Sequence, residues 1–171
     1  LFSCSSYDKF VCLLNFRDSG LYFNTPLYLG RKYFEYHMST TEILKFDRDD
    51  LFFYASRKIQ KKGGYLFVSD YGSQYSILSR YGIRPFSVYG RDYRMANGDP
   101  LDFRYSNIEI INHYAGVRKK ESASGQTVYQ TKIHVNGDFI VGTYPDEITA
   151  AIAYNKAADT LASHGISKAY A

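Results

Sequence analysis

Residues 128–161 read VYQTKIHVNGDFIVGTYPDEITAAIAYNKAADTL, and this stretch decides the fold of the C-terminal part of the chain. Side chains that suit a core alternate with polar ones from Val128 to Val135, which is the period of a half-buried β-strand. The Asn136-Gly137 pair predicts a two-residue hairpin turn before a second strand, Asp138 to Thr143. With a strand at Tyr114 to Lys119, these segments predict a three-stranded antiparallel sheet.

The period becomes helical between Asp146 and His164. Asp146 is suited to accept the free amide protons of the first turn, and Gly165 stands just past the end. We expect one face of this helix to cover the sheet face that carries Ile133. The helix residues expected in that contact are Ile148, Ala151, Ile152, Ala158 and Leu161.

Segments before residue 113 give shorter and less regular signals. The strands predicted there are Lys9–Phe16, Gly20–Phe23 and Lys32–His37. Acidic residues between Asp47 and Asp50, ahead of an apolar run, predict a short helix that ends near Lys58. A Gly63-Gly64 turn then precedes a predicted hairpin of Tyr65–Ser69 and Tyr75–Leu78.

Composition and charge limit the classes of function. The 21 Lys and Arg residues exceed the 17 Asp and Glu residues, so the formal net charge is +4. Because this excess is mild, a polyanion would have to be bound by local clusters rather than by a basic tail. No apolar run is long enough to span a membrane, and we expect no membrane partner. Cys4 and Cys12 lack metal-site spacing and are expected to be buried, reduced thiols of an intracellular, reducing compartment.

Aromatic content stands out, with 18 Tyr and 12 Phe but no Trp. Tyrosine combines an apolar body with a polar tip, so it suits both half-buried strands and surfaces that stack on nucleobases. We expect most of these rings to fill a β-rich core.

Three motifs follow one another in the C-terminal part of the chain. Tyr114-Ala115-Gly116-Val117-Arg118 is followed by Tyr129-x-Thr131-x-Ile133, and Gly142-Thr143-Tyr144 precedes the alanine-rich helix. Over residues 113–170 this order resembles the apetala-type, or ethylene-response-factor-like, DNA-binding domain. In that family the sheet enters the major groove, and Arg and Trp side chains of its exposed face contact bases and phosphates. The resemblance implies that Arg118 contacts nucleic acid.

Other side chains of the exposed face depart from the family pattern. Ala115 and Asp138 stand where arginines are usual, and Ile140 replaces a contacting Trp. These changes weaken base readout, because arginine paired to guanine is the commonest specific contact. A basic stripe for phosphates remains. The nucleic-acid-binding residues expected on residues 113–171 are Arg118, Lys119, Lys120, Gln130, Lys132 and His134.

The segment at residues 97–108, NGDPLDFRYSNI, resembles the distal half of an HNH endonuclease of the homing or phage type. Members of that family often carry an apetala-type domain at the C-terminus, and they cleave with a histidine base and a divalent metal. Here Arg94-Met95 replaces the Asp-His pair, and Ser79 replaces another histidine. We therefore expect a small degenerate ββα module over residues 41–112, with no catalysis, no metal and no cofactor.

Two further expectations follow for this module. Asn107 persists, and in such a scaffold it holds the loop through hydrogen bonds to backbone. Basic side chains near the lost catalytic centre are expected to contact phosphates, although the arginines could instead pair with Asp92, Asp99 and Asp102. The basic residues concerned are Arg80, Arg84, Arg91, Arg94, Lys61 and Lys62.

The chain is thus expected to have an extension of unknown role (1–40) before its two modules, 41–112 and 113–171. Our hypothesis is a non-catalytic nucleic-acid-binding protein, most consistent with a structural RNA-binding subunit of a ribonucleoprotein such as a mitochondrial ribosome, with other proteins as neighbours. The sequence begins at Leu1 rather than Met, so we expect either a shortened chain or a mature chain whose targeting segment has been removed, and the second of these is what an organellar protein would show. One alternative is a sequence-specific regulator that binds duplex DNA in the nucleus or cytoplasm; another is an active HNH endonuclease.

Overall fold

The computed structural model describes residues 4–171, with side chains from residue 6 onward. Its α-helices and antiparallel sheets make the fold α+β, as the sequence predicts. The chain divides into two compact units, the first ending at Glu109 and the second beginning at Ile110.

The first unit opens with a helix where a strand was predicted. Helix α1 spans Cys4–Ser19, so the prediction of a strand at Lys9–Phe16 is wrong. Val11, Cys12 and Asn15 are buried on one face of α1, and the Asn15 amide ties the helix to the Leu21 carbonyl. A short continuous apolar run fits a helix or a strand equally well, which explains the error. Cys12 is a free, buried thiol, while the Cys4 side chain lies outside the described residues.

Three short strands follow α1 and form an antiparallel sheet in chain order: β1 (Leu27–Leu29), β2 (Tyr33–His37) and β3 (Ile43–Asp47). The strand predicted at Gly20–Phe23 is absent from that segment, which is irregular. Strands β2 and β3 pair across residue 40, with Tyr36 opposite Leu44. Residues on both sides of that position therefore share one sheet.

An aromatic core lies under this sheet. A 3-10 turn at Arg48–Asp50 leads into helix α2 (Leu51–Ala55), which ends before the predicted Lys58. Tyr54 of α2 stacks on Phe46 with ring centroids 4.3 Å apart, and Phe103 stacks on the same Phe46 at 5.7 Å. The tyrosines and phenylalanines of this region thus fill the core, as expected.

A second antiparallel sheet consists of β4 (Ile59–Lys62), β5 (Tyr65–Asp70) and β6 (Ser73–Ser76), in that order. Strands β5 and β6 form the predicted hairpin, but β6 ends at Ser76, and the rest of the predicted second strand belongs to a 3-10 helix, Ile77–Tyr81. Gly63 and Gly64 both have positive φ and form the turn of an additional hairpin, β4–β5, so Lys61 and Lys62 lie on a strand.

Strands β7 (Tyr93–Met95) and β8 (Ile108–Ile110) form a two-stranded sheet across the loop that resembles the nuclease motif. The next element along the chain is strand β9 (Val117–Glu121).

The second unit has the predicted sheet and helix. Strands β9, β10 (Thr127–His134) and β11 (Asp138–Tyr144) form an antiparallel sheet in the order β11-β10-β9, and helix α3 spans Glu147–Ser163. The Asp146 carboxylate accepts a hydrogen bond from the Thr149 amide at 2.8 Å and caps α3, as expected. The β10–β11 loop is longer than the predicted two residues, because His134 pairs with Asp138.

Small side chains carry the contact between α3 and the sheet. Ala150, Ala151 and Ala158 are buried, and the Thr131 hydroxyl of β10 donates to the Ala150 carbonyl at 2.8 Å. The prediction was correct for Ala151 and Ala158, and Leu161 is half-buried. It was wrong for Ile148 and Ile152, which are 64% and 49% exposed. The close approach that alanine permits leaves no room for the larger side chains beneath the helix.

Candidate nucleic-acid interface

Helix α3 covers one face of the second unit's sheet, and the opposite face is open. Strand pairing assigns side chains to it: Arg118 lies opposite Gln130, and Lys120 lies opposite Val128. Because side chains alternate along β10, Lys132 and His134 share the side that carries Gln130. We call this surface, formed by Arg118, Lys120, Gln130, Lys132, His134 and Asp138, the open face.

Arg118 and Lys120 are the available cations of the open face. Both are exposed, and within the part of the chain that the structure describes neither has a salt bridge. Both project from the same side of β9, with the Gln130 amide directly across from Arg118. Two unpaired cations beside an amide can bind a phosphate and hydrogen-bond a sugar or a base.

Lys119 belongs to the other side of β9. It pairs with Tyr129, whose ring packs against the buried cluster of Val117, Ala150 and Ala151. Its backbone amide is held by the Asn112 side chain at 2.9 Å. The prediction of one continuous stripe that includes Lys119 is therefore wrong, because strand alternation separates this lysine from Arg118 and Lys120.

Asp138 pairs with the remaining basic side chains of the open face. Its carboxylate lies 2.6 Å from Lys132 Nζ and 2.9 Å from His134 Nδ1. The hydrogen bond from Lys132, reinforced by the one from His134, lowers the pKa of Asp138 to about 2. Lys132 and His134, which were expected to contact phosphates, are thus already paired.

The arginines predicted to contact phosphates in the first unit mostly have acidic partners. Arg80 binds the buried Asp50 at 2.5 Å, Arg91 binds Asp92 at 2.7 Å, and Arg94 binds Glu109 at 2.5 Å. Arg84 differs, because its Nε is buried without a partner among the described residues. The structure therefore favours the alternative of pairing for three of the four, although Asp50 and Glu109 were not the acids expected.

Asn107 has the structural role that was expected. Its Nδ2 donates to the Asp102 carbonyl at 2.9 Å, and its Oδ1 accepts from the Asn97 amide at 2.9 Å. The two residues that stand in place of the Asp-His pair lie on β7, where Met95 is buried and Arg94 is exposed. Among the side chains that the structure describes, no group of three His, Cys, Asp or Glu residues could hold a metal ion.

The two predicted lysines of β4 differ. Lys61 Nζ is bound to Glu42 at 2.9 Å, whereas Lys62 has no salt bridge within the described chain. Lys62 lines a groove of about 620 Å³ beside β5 and β6. The aromatic side chains of this groove, which we call the aromatic groove, are Tyr65, Phe67, Tyr75 and Phe86.

Phe86 is held in the aromatic groove by an unusual backbone. It has φ of 64°, although it is bulky and 62% exposed. Such a conformation costs on the order of 1–3 kcal/mol and is concentrated at functional positions. The Phe86 ring meets the Tyr65 ring edge-on at 5.3 Å, and the Tyr65 hydroxyl donates to the Phe86 carbonyl at 3.3 Å.

A second pocket, of about 300 Å³, adjoins the aromatic groove and shares Tyr75, Ser76 and Ser79 with it. Here the guanidinium carbons of Arg57 and Arg80 lie 4.5 Å and 3.8 Å from the centre of the Phe53 ring. The excess of tyrosine and phenylalanine was the available sequence signal for this site. It did not locate the site, because the lining residues come from separate elements.

Comparisons of the chain with protein-family models, curated proteins and solved structures found no match. Among the described residues, no helix has the length and apolar character needed to cross a bilayer.

Proposed function

We propose that this chain is a non-catalytic nucleic-acid-binding protein whose second unit binds folded RNA through the open face. The observation that carries the proposal is the pair of unpaired cations, Arg118 and Lys120, projecting from one side of β9 next to Gln130. An exposed sheet face with free cations and an amide suits contacts to phosphates and sugars.

Folded RNA is favoured over duplex DNA by the chemistry of the rest of the open face. Reading duplex DNA requires several donors aimed at base edges in the major groove. Here Lys132 and His134 are bound to Asp138, and an exposed Ile140 lies opposite Lys132. Such a surface has few base-reading donors but retains phosphate contacts and apolar area, which suits recognition of RNA by shape. A structural place in a ribonucleoprotein, such as a mitochondrial ribosome, fits that mode of binding.

The proposal is tested by filter binding of the full chain to a folded stem-loop RNA and to a duplex DNA of equal length. We expect tighter binding to the RNA. The double variant Arg118→Ala/Lys120→Ala should bind about tenfold more weakly or worse, because hydrogen bonds to charged groups are worth about 1.5–3 kcal/mol each. Lys119→Ala removes the same charge from the other side of the same strand and should bind like the unchanged protein.

Two results would overturn the proposal. Preference for one duplex DNA sequence by more than about 1,000-fold would make the chain a DNA-binding regulator. Magnesium-dependent nicking of a plasmid, abolished by Asn107→Ala, would make the first unit a nuclease.

A further inference from the structure

We infer that the aromatic groove of the first unit binds an unpaired nucleobase of the RNA, at a site separate from the open face. The inference rests on the proposed function, since it takes a nucleic acid as the partner. It adds a second contact, on a different unit, and states which part of the RNA is bound there: a single-stranded nucleotide in a loop or bulge.

The walls of the aromatic groove suit a flat, uncharged ring. Tyr65, Phe67, Tyr75 and Phe86 contribute aromatic faces and edges, and its volume of about 620 Å³ is within the range of small-ligand sites. Tyr75 and Phe86 are 53% and 62% exposed, so their rings are accessible to a ligand and are not buried in the core. Unpaired bases stack on aromatic side chains of this kind, whatever the base.

Polar groups at the edge of the aromatic groove could contact a base edge. The Gln74 amide and the Ser79 hydroxyl line it, and neither has a hydrogen bond to another described residue. A base placed against Tyr75 would present its hydrogen-bonding edge to groups of this type. The site therefore offers both stacking and hydrogen bonding.

Charge favours an anionic occupant over a neutral peptide. The cations around the aromatic groove and its adjoining pocket are Lys62, Arg57 and Arg80, while the one carboxylate among the described lining residues is Asp70. Arg57 already holds Asp70 at 3.0 Å and Arg80 holds Asp50 at 2.5 Å, so Lys62 is the unpaired cation among these lining residues. A nucleotide supplies both parts that this arrangement lacks, a flat base and a phosphate for Lys62.

The left-handed backbone of Phe86 is consistent with a ligand-binding position. A phenylalanine with φ of 64° is strained, yet its ring is mostly exposed instead of being buried for stability. Strain of this type is concentrated where a side chain must be held in place for a ligand. The Tyr65 hydroxyl, bound to the Phe86 carbonyl, helps to fix that conformation.

Photo-crosslinking of the full chain to single-stranded oligouridine containing 4-thiouridine tests the inference, with crosslinked peptides identified by mass spectrometry. We expect crosslinks within residues 65–86. Tyr75→Leu and Phe86→Leu should each weaken oligouridine binding about tenfold, because they keep an apolar side chain but remove the stacking ring. Tyr71→Leu is the matched control: Tyr71 is fully exposed and also has positive φ, but it lies outside the groove.

The outcomes separate this inference from the proposed function. If stem-loop RNA binds through Arg118 and Lys120 but crosslinks fall outside residues 65–86, or Tyr75→Leu and Phe86→Leu bind oligouridine as tightly as the unchanged chain, the inference is wrong and the proposed function stands. If no RNA binds at all, both are wrong. Circular dichroism of each leucine variant shows that a loss of binding is not a loss of fold.

Discussion

Lys132 and Asp138 form an ion pair across the β10–β11 hairpin, with Lys132 Nζ 2.6 Å from the Asp138 carboxylate. The same carboxylate also holds His134 at 2.9 Å. Exposed ion pairs contribute little to stability. Under the proposed function its consequence is for binding, because Asp138 occupies two basic side chains that the open face would otherwise offer to phosphates.

Replacing the acid should therefore strengthen binding. In Asp138→Asn, Lys132 loses its ionic partner and becomes available to phosphate, so we expect affinity for stem-loop RNA to rise severalfold at low salt. Asp159→Asn removes the same charge from α3, on the covered side of the sheet, and should change affinity much less. Equal gains from both variants, measured by filter binding, would show that net charge rather than this pair controls affinity.

The pKa of Asp138 provides a direct check of the pair. It is lowered to about 2 by the hydrogen bonds from Lys132 and His134. Because the shift is downward, its contribution to stability is complete above the ordinary value of 3.8 and disappears as the pH falls towards about 2. Carbon-13 NMR titration of Lys132→Gln should show the pKa of Asp138 returning towards 3.8.

Asp146 serves as the internal control in that titration. Its pKa is lowered by the hydrogen bond from the Thr149 backbone amide, independently of Lys132, so it should remain low in the variant. An unchanged pKa of Asp138 in Lys132→Gln would mean that the pair does not form in solution.

A buried carboxylate stabilises the loop of the first unit. Asp102 is fully buried and accepts hydrogen bonds from Arg104 and from the Asn97 side chain. Asp102→Ala leaves both donors without this partner, and we expect the free energy of unfolding in urea to fall by about 2–3 kcal/mol. Asp99→Asn, at a more exposed carboxylate, should cost less than about 1 kcal/mol. Similar losses in both variants would contradict this role.

Gly116 is required where the second unit packs most closely. It has φ of 70°, and a Cβ there would lie 2.3 Å from the Tyr154 ring and 2.5 Å from the Lys132 carbonyl oxygen. Gly116→Ala should destabilise this unit by about 2–4 kcal/mol, which faster amide hydrogen exchange in β10 would report. Gly125→Ala, at φ of 80° with no contact under 3.6 Å, should show the smaller cost of the backbone alone. Equal effects would rule out the close packing.

The second unit was the more predictable part of the chain. Alternation from Val128 to Val135 and the cap at Asp146 are local patterns, and they determine strands and helix boundaries directly. The pairing of Lys132 with Asp138 depends on the register of the hairpin. That register differs from the predicted one because the turn is one residue longer. The side of the sheet on which each residue lies could therefore be predicted from the sequence. The pairing of Lys132 and His134 with Asp138 could not.

The first unit was less predictable for a related reason. The apolar run in α1 has no period that separates a helix from a strand, and the surrounding packing decides between them. Phe53, Tyr75 and Phe86 belong to three different segments of the chain. They line the two pockets because the fold brings these segments together. Composition thus signalled an excess of aromatic rings without indicating which of them remain exposed.

The salt dependence of binding tests the central claim most directly. Observed affinity falls with salt at a logarithmic slope of roughly 0.7–0.9 per phosphate contact, so loss of two contacts should reduce the slope by about 1.5. We predict this reduction for Arg118→Ala/Lys120→Ala on stem-loop RNA and no reduction for Lys119→Ala. An unchanged slope in the double variant, with the fold intact, would contradict binding through the open face.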